Sequence, residues 1–408
     1  MTAGDNPYAS STAAEIDLLL LCARRCFTPV QTALLKRILE EEELDWRFIL
    51  AAASRHGLLA LLWASLKSQN CIDLVPAHIT EKLQAAVREA TARTLALTGE
   101  LTRILGAFSL AGIRAMPCKG PVAAMAAYGD LSFRSFCDLD VLVTRRDLDQ
   151  ARHRLTLLGY RHHLPFSAQQ ERDYLNNECA LALRHEQHGH IVEIHWRFTE
   201  RNASVELPVE AFWKRARHIP VAGMPVLALC PEDLVLYLCV HGAKHRWERL
   251  EWIACLAETI RANPALDWNS VFKTSRSYRI ARLLNLGLRL TQTLLGAELP
   301  PVAIQRLQED PGVDALSQWV EARLFSAAPD ETHYQQRAAR YWFMLRSREH
   351  WADRLRIVLY SAIRPPHPSA PEWLDLPPRL AFLHHIFRPV RLLGEYGAVA
   401  WNRYLRVR

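Results

Sequence analysis

Two acidic residues in an otherwise apolar segment constrain this chain more than any other feature. The stretch 116–143, MPCKGPVAAMAAYGDLSFRSFCDLDVLV, ends in a predicted strand that carries Asp138 and Asp140. Residues two positions apart on a strand point to the same face. Two neighbouring buried carboxylates are costly unless a cation neutralises them. The pair therefore predicts a site for a divalent metal ion.

A Lys-Gly turn precedes the acid pair and predicts an anion site. Lys119 and Gly120 are followed by Pro121, which suits the first position of a helix. Backbone N–H groups at a helix N-terminus have no partners within the helix, and they attract phosphate. A phosphate-binding turn that faces a metal-binding acid pair is the core of a nucleotidyl-transfer site.

A third acid follows on a predicted hairpin. The segment 178–198, ECALALRHEQHGHIVEIHWRF, alternates as two strands that turn near His188 and Gly189. On the second strand, Glu193 and His195 share one face. A helix predicted over Arg145–Leu158 separates the acid pair from this hairpin.

Each of these residues also has a structural interpretation. A D-x-D pair alone occurs in many surface strands, and only its context raises its weight as a metal site. Glu193 can pair with Arg197 on its own strand, and Arg134 can form a structural salt bridge. Lys119 can be an ordinary exposed turn residue, and His195 a satisfied core histidine.

With these motifs, the chain resembles the uncharacterised nucleotidyltransferase family, a bacterial group within the polymerase-beta-like superfamily. The resemblance extends over nearly the whole chain. The matching residues are Lys119-Gly120, Tyr128, Arg134, Asp138-Leu139-Asp140, Glu193-Ile194-His195-Trp196, the run from His241 to Trp247, Arg249-Leu250 and Trp252.

The resemblance implies an α+β fold. Its polymerase-beta-like nucleotidyltransferase core, a small mixed sheet with helices, is flanked by N- and C-terminal helical regions. It also implies transfer of a nucleoside monophosphate with Mg²⁺ or Mn²⁺ as cofactor and ATP, or another nucleoside triphosphate, as co-substrate. Asp138, Asp140 and Glu193 are then the metal ligands and catalytic residues. The nucleotide-binding residues are expected to be Lys119, Gly120, Arg134, His195, His241 and Lys244.

Two positions depart from the expected pattern. The usual phosphate turn of the superfamily is Gly-Ser, whereas this chain has Lys119-Gly120. In the helix after Trp252, Cys255 stands where an Asp is expected. The first departure leaves the details of phosphate binding open, and the second weakens a role for that helix position.

Periodicity and proline-rich segments divide the chain into five regions. They are residues 1–12 as a disordered N-terminus, 13–100 as a helical region, 101–220 as the catalytic domain, 221–330 as a helical domain that completes the cleft, and 331–408 as a basic helical region with a Pro-rich connector at 363–378. The last region holds 13 Arg, no Lys and six acids, so it carries a charge equal to the net +7 of the whole chain. Such a region can be a solvated, internally paired face, or it can meet nucleic acid, a membrane surface or a phosphorylated substrate.

Composition points to the cytoplasm. The nine cysteines include no C-x-x-C, which is typical of a reducing compartment. No apolar run approaches the roughly 20 residues that span a bilayer, and the N-terminus has no basic segment typical of a secretory signal. We therefore expect a cytoplasmic protein without a transmembrane segment.

The acceptor is the least constrained part of the prediction. A hydroxyl of a small molecule or a peptide is the first expectation, with pyrophosphate as the second product. A toxin-type transferase that modifies protein or RNA is the alternative among enzymes, and the basic C-terminal region makes RNA worth testing. A regulatory protein that binds nucleotide without turnover is the alternative from another class.

Overall fold

The computed structural model describes residues 13–162, 168–201, 205, 207–326 and 333–363. Within these ranges the chain forms 17 α-helices and seven β-strands. The helices are α1 (Ala13–Cys22), α2 (Pro29–Glu41), α3 (Trp46–Arg55), α4 (Leu59–Ser68), α5 (Ala77–Leu110), α6 (Pro121–Tyr128), α7 (Leu148–Leu157), α8 (Ala168–Asn177), α9 (Val209–Arg215), α10 (Pro231–Lys244), α11 (Leu250–Ala262), α12 (Trp268–Ser277), α13 (Ala281–Leu295), α14 (Pro301–Gln308), α15 (Pro311–Leu324), α16 (His333–Arg346) and α17 (Trp351–Ile363). The strands are β1 (Ala115–Pro117), β2 (Asp138–Val143), β3 (Tyr160–Arg161), β4 (Ala180–His185), β5 (Ile191–His195), β6 (Arg217–Val221) and β7 (Met224–Ala228).

A five-stranded mixed sheet in the order β1-β2-β5-β4-β3 forms the centre of the fold. Its only parallel neighbours in the described part are β2 and β5, and its other pairs are antiparallel. The predicted hairpin is confirmed as β4 and β5. With helices before and after this sheet, the predicted α+β class is also confirmed.

One face of the sheet packs against helices, because apolar residues at alternate positions of β2 point to that face. Leu139, Val141 and Val143 are buried in one cluster with residues of α5 and α7 such as Leu101 and Leu148. The alternate positions of β2 point the other way. The acids therefore project from the face that does not carry α5 and α7.

Helix α5 connects the N-terminal helices to the sheet. It has 34 residues, which corresponds to a length of about 51 Å. Leu83 near its start is buried among the helices, whereas Ile104 near its end is buried under the sheet. No helix in the described ranges, α5 included, is long and apolar enough to cross a membrane.

The predicted domain boundaries can be compared with the described elements at only a few places. A second sheet, the hairpin of β6 and β7, includes residue 220, where the sequence places a domain boundary. Residues 1–12 and 364–378 of the predicted disordered and Pro-rich segments lie outside the described residues. The division into domains stays a prediction.

A buried histidine joins the N-terminal helices to α11. His56 Nδ1 accepts a hydrogen bond from the backbone N–H of Leu250 at 3.2 Å, and the N–H of Glu251 donates to the His56 carbonyl at 3.1 Å. Because Nδ1 accepts, the ring is neutral in the folded protein. Burial, followed by the charges of Arg55 and Arg249, lowers the pKa of His56 to about 3.

This pKa predicts that acid weakens the fold. Between pH 6.5 and 3 the unfolded chain binds a proton at His56 that the folded chain excludes. The contribution of the neutral His56 to the free energy of unfolding is therefore present at neutral pH and lost as the pH falls. At pH 5 the loss amounts to roughly 2 kcal/mol. Urea unfolding at pH 7 and pH 5 should show a smaller difference for His56→Asn than for the wild type. The exposed His153, changed to Asn, is the control and should keep the wild-type difference; an equal difference in all three proteins would refute the assignment.

Candidate metal and nucleotide site

The parallel ladder of β2 and β5 brings two of the predicted acids side by side. Asp140 is the register partner of Glu193, and Asp138 is the partner of Ile191. His195, two residues after Glu193, is opposite Leu142. Register partners project to the same face of a sheet. Asp138, Asp140, Glu193 and His195 therefore share the face opposite α5 and α7.

Two cationic side chains contact the same oxygen of Asp140. Lys119 Nζ lies 2.6 Å from Asp140 Oδ1, and His195 Nε2 lies 2.9 Å from it. His195 Nε2 is also 3.3 Å from Glu193 Oε2. Asp140 is only 3% exposed, so these contacts replace the water that a carboxylate would otherwise require.

The contacts set the protonation states of the cluster. Burial by itself would raise the pKa of Asp140, but Lys119 and His195 outweigh it and hold that pKa far below its usual value. The hydrogen bond from His195 also lowers the pKa of Glu193. Burial opposes the charge on His195, yet hydrogen bonds to Asp140, Cys179 and Glu193 raise its pKa well above the ordinary range. At neutral pH the cluster thus holds two carboxylates and an imidazolium.

The pKa of Asp138 shifts in the opposite direction. Burial raises it, and the neighbouring charges of Asp140 and Glu193 raise it further, while Lys119 and Arg134 oppose them. Asp138 therefore holds a proton more readily than an ordinary aspartate does.

Three side chains form a set that can hold a metal ion. One ligand atom from each of Asp140, Glu193 and His195 lies within 4.8 Å of the other two. Two carboxylate oxygens suit Mg²⁺ or Mn²⁺, and the His195 nitrogen can add to them once its proton has left. The donor set therefore fits the expected cofactor. Asp138 lies outside this set of three, and its predicted role as a ligand stays a prediction.

The Lys-Gly turn has the predicted backbone form. Gly120 adopts φ +57° and ψ −126° and directly precedes α6, whose first residue is Pro121. A Cβ at Gly120 would meet Phe136 at an ordinary 3.6 Å, so the backbone conformation, rather than space, requires glycine. The N–H groups of Val122 and Ala123 fall in the first turn of α6 and have no partners within the helix. This end of α6 begins two residues after Lys119.

Arg134 is buried beside the acid pair. It is 6% exposed, and its Nε and Nη1 have no hydrogen-bond partner among the described residues. The carboxylates that act on it are Glu251 of α11 and Asp138 and Asp140 of β2. Cys255, where an Asp was expected, is fully buried and offers no carboxylate. A guanidinium with two unpaired nitrogens next to three carboxylates can receive an anionic group.

The end of α10, the residue after it and the start of α11 form an aromatic and imidazole wall. The rings of His241 and His245 lie 5.4 Å and 5.2 Å from the ring of Trp252. Burial lowers the pKa of both imidazoles, that of His245 to about 4, and the charge of Lys119 acts on both. These rings are therefore neutral at physiological pH. Lys244 Nζ pairs with Glu200 at 2.8 Å, and Glu193 is also among the charges that act on it.

The structure gathers most of the predicted residues, and it adds two. Lys119, His195 and Glu193 meet at Asp140, and Gly120, Arg134 and His241 lie around this cluster. Lys244 already has a carboxylate partner. Sequence reasoning missed Glu200, for which no motif gives a signal, and Glu251. An acid between Leu250 and Trp252 in an apolar helix was the available signal for Glu251.

Comparison with known proteins agrees with this arrangement. A family model described as an uncharacterised nucleotidyltransferase matches residues 42–296. The chain belongs to the uncharacterised nucleotidyltransferase family. As a member it is an enzyme that transfers phosphorus-containing groups. Neither the comparison with curated proteins nor that with solved structures finds a match.

The contacts of Asp140 make a testable prediction for His195. If Asp140 holds His195 as an imidazolium, Asp140→Asn should lower the pKa of His195 toward its ordinary range, because the hydrogen bond to a carboxylate is lost. Histidine side-chain NMR resonances followed from pH 5 to 10 measure this directly. The resonance of the exposed His153 is the internal control. An unchanged His195 titration in the variant would show that the contact carries no charge interaction.

Proposed function

We propose that this protein transfers AMP from ATP to a hydroxyl group of a small molecule or a peptide and releases pyrophosphate, with Mg²⁺ or Mn²⁺ as cofactor. The observation that carries the proposal is the register pair of Asp140 and Glu193 beside the Lys119-Gly120 turn. Family membership gives the reaction class. The donor base, the acceptor and the identity of the metal belong to the proposal.

The acids would bind the metal ion. Asp140 and Glu193 supply carboxylate oxygens within reach of one ion, and His195 adds a nitrogen. Asp138, on the same face of β2, is proposed to complete the ligands when the nucleotide is present. A bound divalent cation would polarise the α-phosphate and lower the pKa of the attacking hydroxyl.

The turn and its surroundings would hold the triphosphate. The first N–H groups of α6 suit the β- and γ-phosphates, because a helix N-terminus carries partial positive charge. Lys119 and Arg134 would add full positive charges near the turn. His241 lies beside Trp252 and suits contact with the nucleoside. Lys244 is proposed to contact nucleotide once its pair with Glu200 opens.

The proposed transfer of the nucleoside monophosphate exchanges one bond at the α-phosphorus for another. The acceptor oxygen forms a bond to the α-phosphorus, and the bond from that phosphorus to the bridging β-oxygen breaks. The electron pair of that bond leaves with pyrophosphate, whose charge Lys119 and Arg134 balance. Glu193, whose pKa is lowered by His195, is a carboxylate at neutral pH and accepts the hydroxyl proton.

Nucleotide binding provides the first test. Each of the four ribonucleoside triphosphates is titrated into the protein by calorimetry, with and without Mg²⁺. We expect metal-dependent binding of ATP that is lost in the Asp138→Asn/Asp140→Asn double variant. Pyrophosphate release should fall by about 10²–10⁴-fold in Glu193→Gln if Glu193 is the base.

The control is Glu186→Gln, an exposed carboxylate in the turn between β4 and β5. It should bind and turn over like the wild type. Identical behaviour of the wild type and the double variant would mean that the acids are structural. Metal-dependent binding without pyrophosphate release, in the presence of every acceptor class, would favour a regulatory nucleotide-binding protein.

One observation favours RNA as a second candidate acceptor. The charge of Arg340, exposed on α16, acts on Glu200 and on His245, so the basic C-terminal region reaches the wall of the proposed cleft. The hydroxyl of Tyr360 on α17 also donates to Asn177 at the end of α8. Basic residues at a cleft entrance suit a long anionic acceptor.

The acceptor can be identified by label transfer. With ATP labelled at the α-phosphate, the small-molecule or peptide proposal predicts label in low-mass products, and the RNA candidate predicts label in added RNA. In the second case Arg340→Ala/Arg346→Ala should weaken RNA labelling about tenfold or more and flatten its salt dependence. Exposed arginines on α5 provide the matched control, Arg88→Ala/Arg93→Ala, which should leave labelling unchanged.

A further inference from the structure

Lys119 lies between the two halves of the proposed site. Its ammonium contacts Asp140 Oδ1 at 2.6 Å, while its backbone directly precedes the Gly120 turn and α6. The Lys119 side chain is 16% exposed and that of Asp140 is 2% exposed. The lysine therefore caps a buried carboxylate from the solvent side.

The carboxylates of this site have cationic partners without a metal ion. The Lys119 ammonium contacts Asp140, and the ring of His195 contacts both Asp140 and Glu193. A divalent ion that approaches Asp140 meets the ammonium beside that carboxylate. Two positive charges at such a short distance repel each other strongly in a buried site.

A triphosphate changes this balance. It brings about four negative charges to the N-terminus of α6, two residues from Lys119. A lysine side chain has a flexible four-carbon stem and three rotatable donors, so it can turn from a carboxylate to a phosphate without backbone movement. Asp140 then keeps only its contact with His195, and the other lone pairs of the carboxylate are open to a cation.

We propose that Lys119 is a resident counter-ion of Asp140 that excludes the divalent metal until the triphosphate draws the lysine away. Metal and nucleotide then bind as a coupled pair, and each raises the affinity for the other by the same factor. This inference rests on the proposed function, and it adds the order of binding and the residue that enforces it. Lys119 acts here as a positioning residue.

The test is Mn²⁺ binding in the absence of nucleotide, measured by electron paramagnetic resonance of the free ion. Lys119→Met keeps the length of the side chain and removes its charge. It should bind Mn²⁺ at least tenfold more tightly than the wild type, and Lys119→Arg, which keeps the charge, should bind as weakly as the wild type. Lys214→Met, at an exposed position on α9, is the matched control and should also behave as the wild type.

A second measurement covers the case in which Lys119→Met is less stable, because Asp140 loses its partner. Mn²⁺ should then raise the thermal unfolding midpoint of this variant more than that of the wild type, since a ligand that binds only the folded state stabilises it. Addition of Asp140→Asn to Lys119→Met should abolish both effects.

The outcomes separate this inference from the proposed function. If Lys119→Met binds Mn²⁺ no more tightly than the wild type, while Asp140→Asn still abolishes metal-dependent nucleotide binding, the counter-ion role is wrong and the transferase proposal stands. If Asp140→Asn changes neither Mn²⁺ binding nor nucleotide binding in any background, both proposals fail.

Discussion

The parallel pairing of β2 with β5 is the interaction on which the site depends. These strands are separated in the chain by α7, β3, α8 and β4, and yet their register places Asp140 opposite Glu193. A slip of one residue would turn Glu193 and His195 to the face that packs against α5 and α7. The apolar residues Leu139, Val141, Val192 and Ile194, which fill that opposite face, therefore fix the geometry of the polar one.

Charge compensation is the second constraint. Each cation near Asp140 comes from a different element: Lys119 from the turn before α6, Arg134 from the segment before β2, and His195 from β5. The contacts of Lys119 and His195 with Asp140 join residues that are 21 and 55 positions apart in the sequence. The buried acids are thus tolerated only when the whole sheet and α6 have assembled, which ties the charge state of the site to the completeness of the fold.

The sequence predicted the features that depend on short patterns. The acid strand, the Gly120 turn and the hairpin of β4 and β5 each follow from residue types within about ten positions. It did not predict the contacts of Lys244 with Glu200 or of His56 with Leu250, because these depend on how distant helices pack. The hairpin of β6 and β7 has no comparable signal in the sequence. Its turn has positive φ at Ala222 and Gly223, and an alanine there lacks the usual Asn-Gly signal for such a turn.

The two edges of the central sheet are strands of only three and two residues, and Pro117 ends the edge strand nearest the site. A peptide that binds by adding a strand needs a longer row of free backbone groups than either edge offers. In the proposed function, a peptide acceptor would therefore be recognised through its side chains and its reacting hydroxyl. Such recognition would place few demands on the backbone of the acceptor, so a folded loop, a flexible tail and a compound without any peptide bond are all compatible with it.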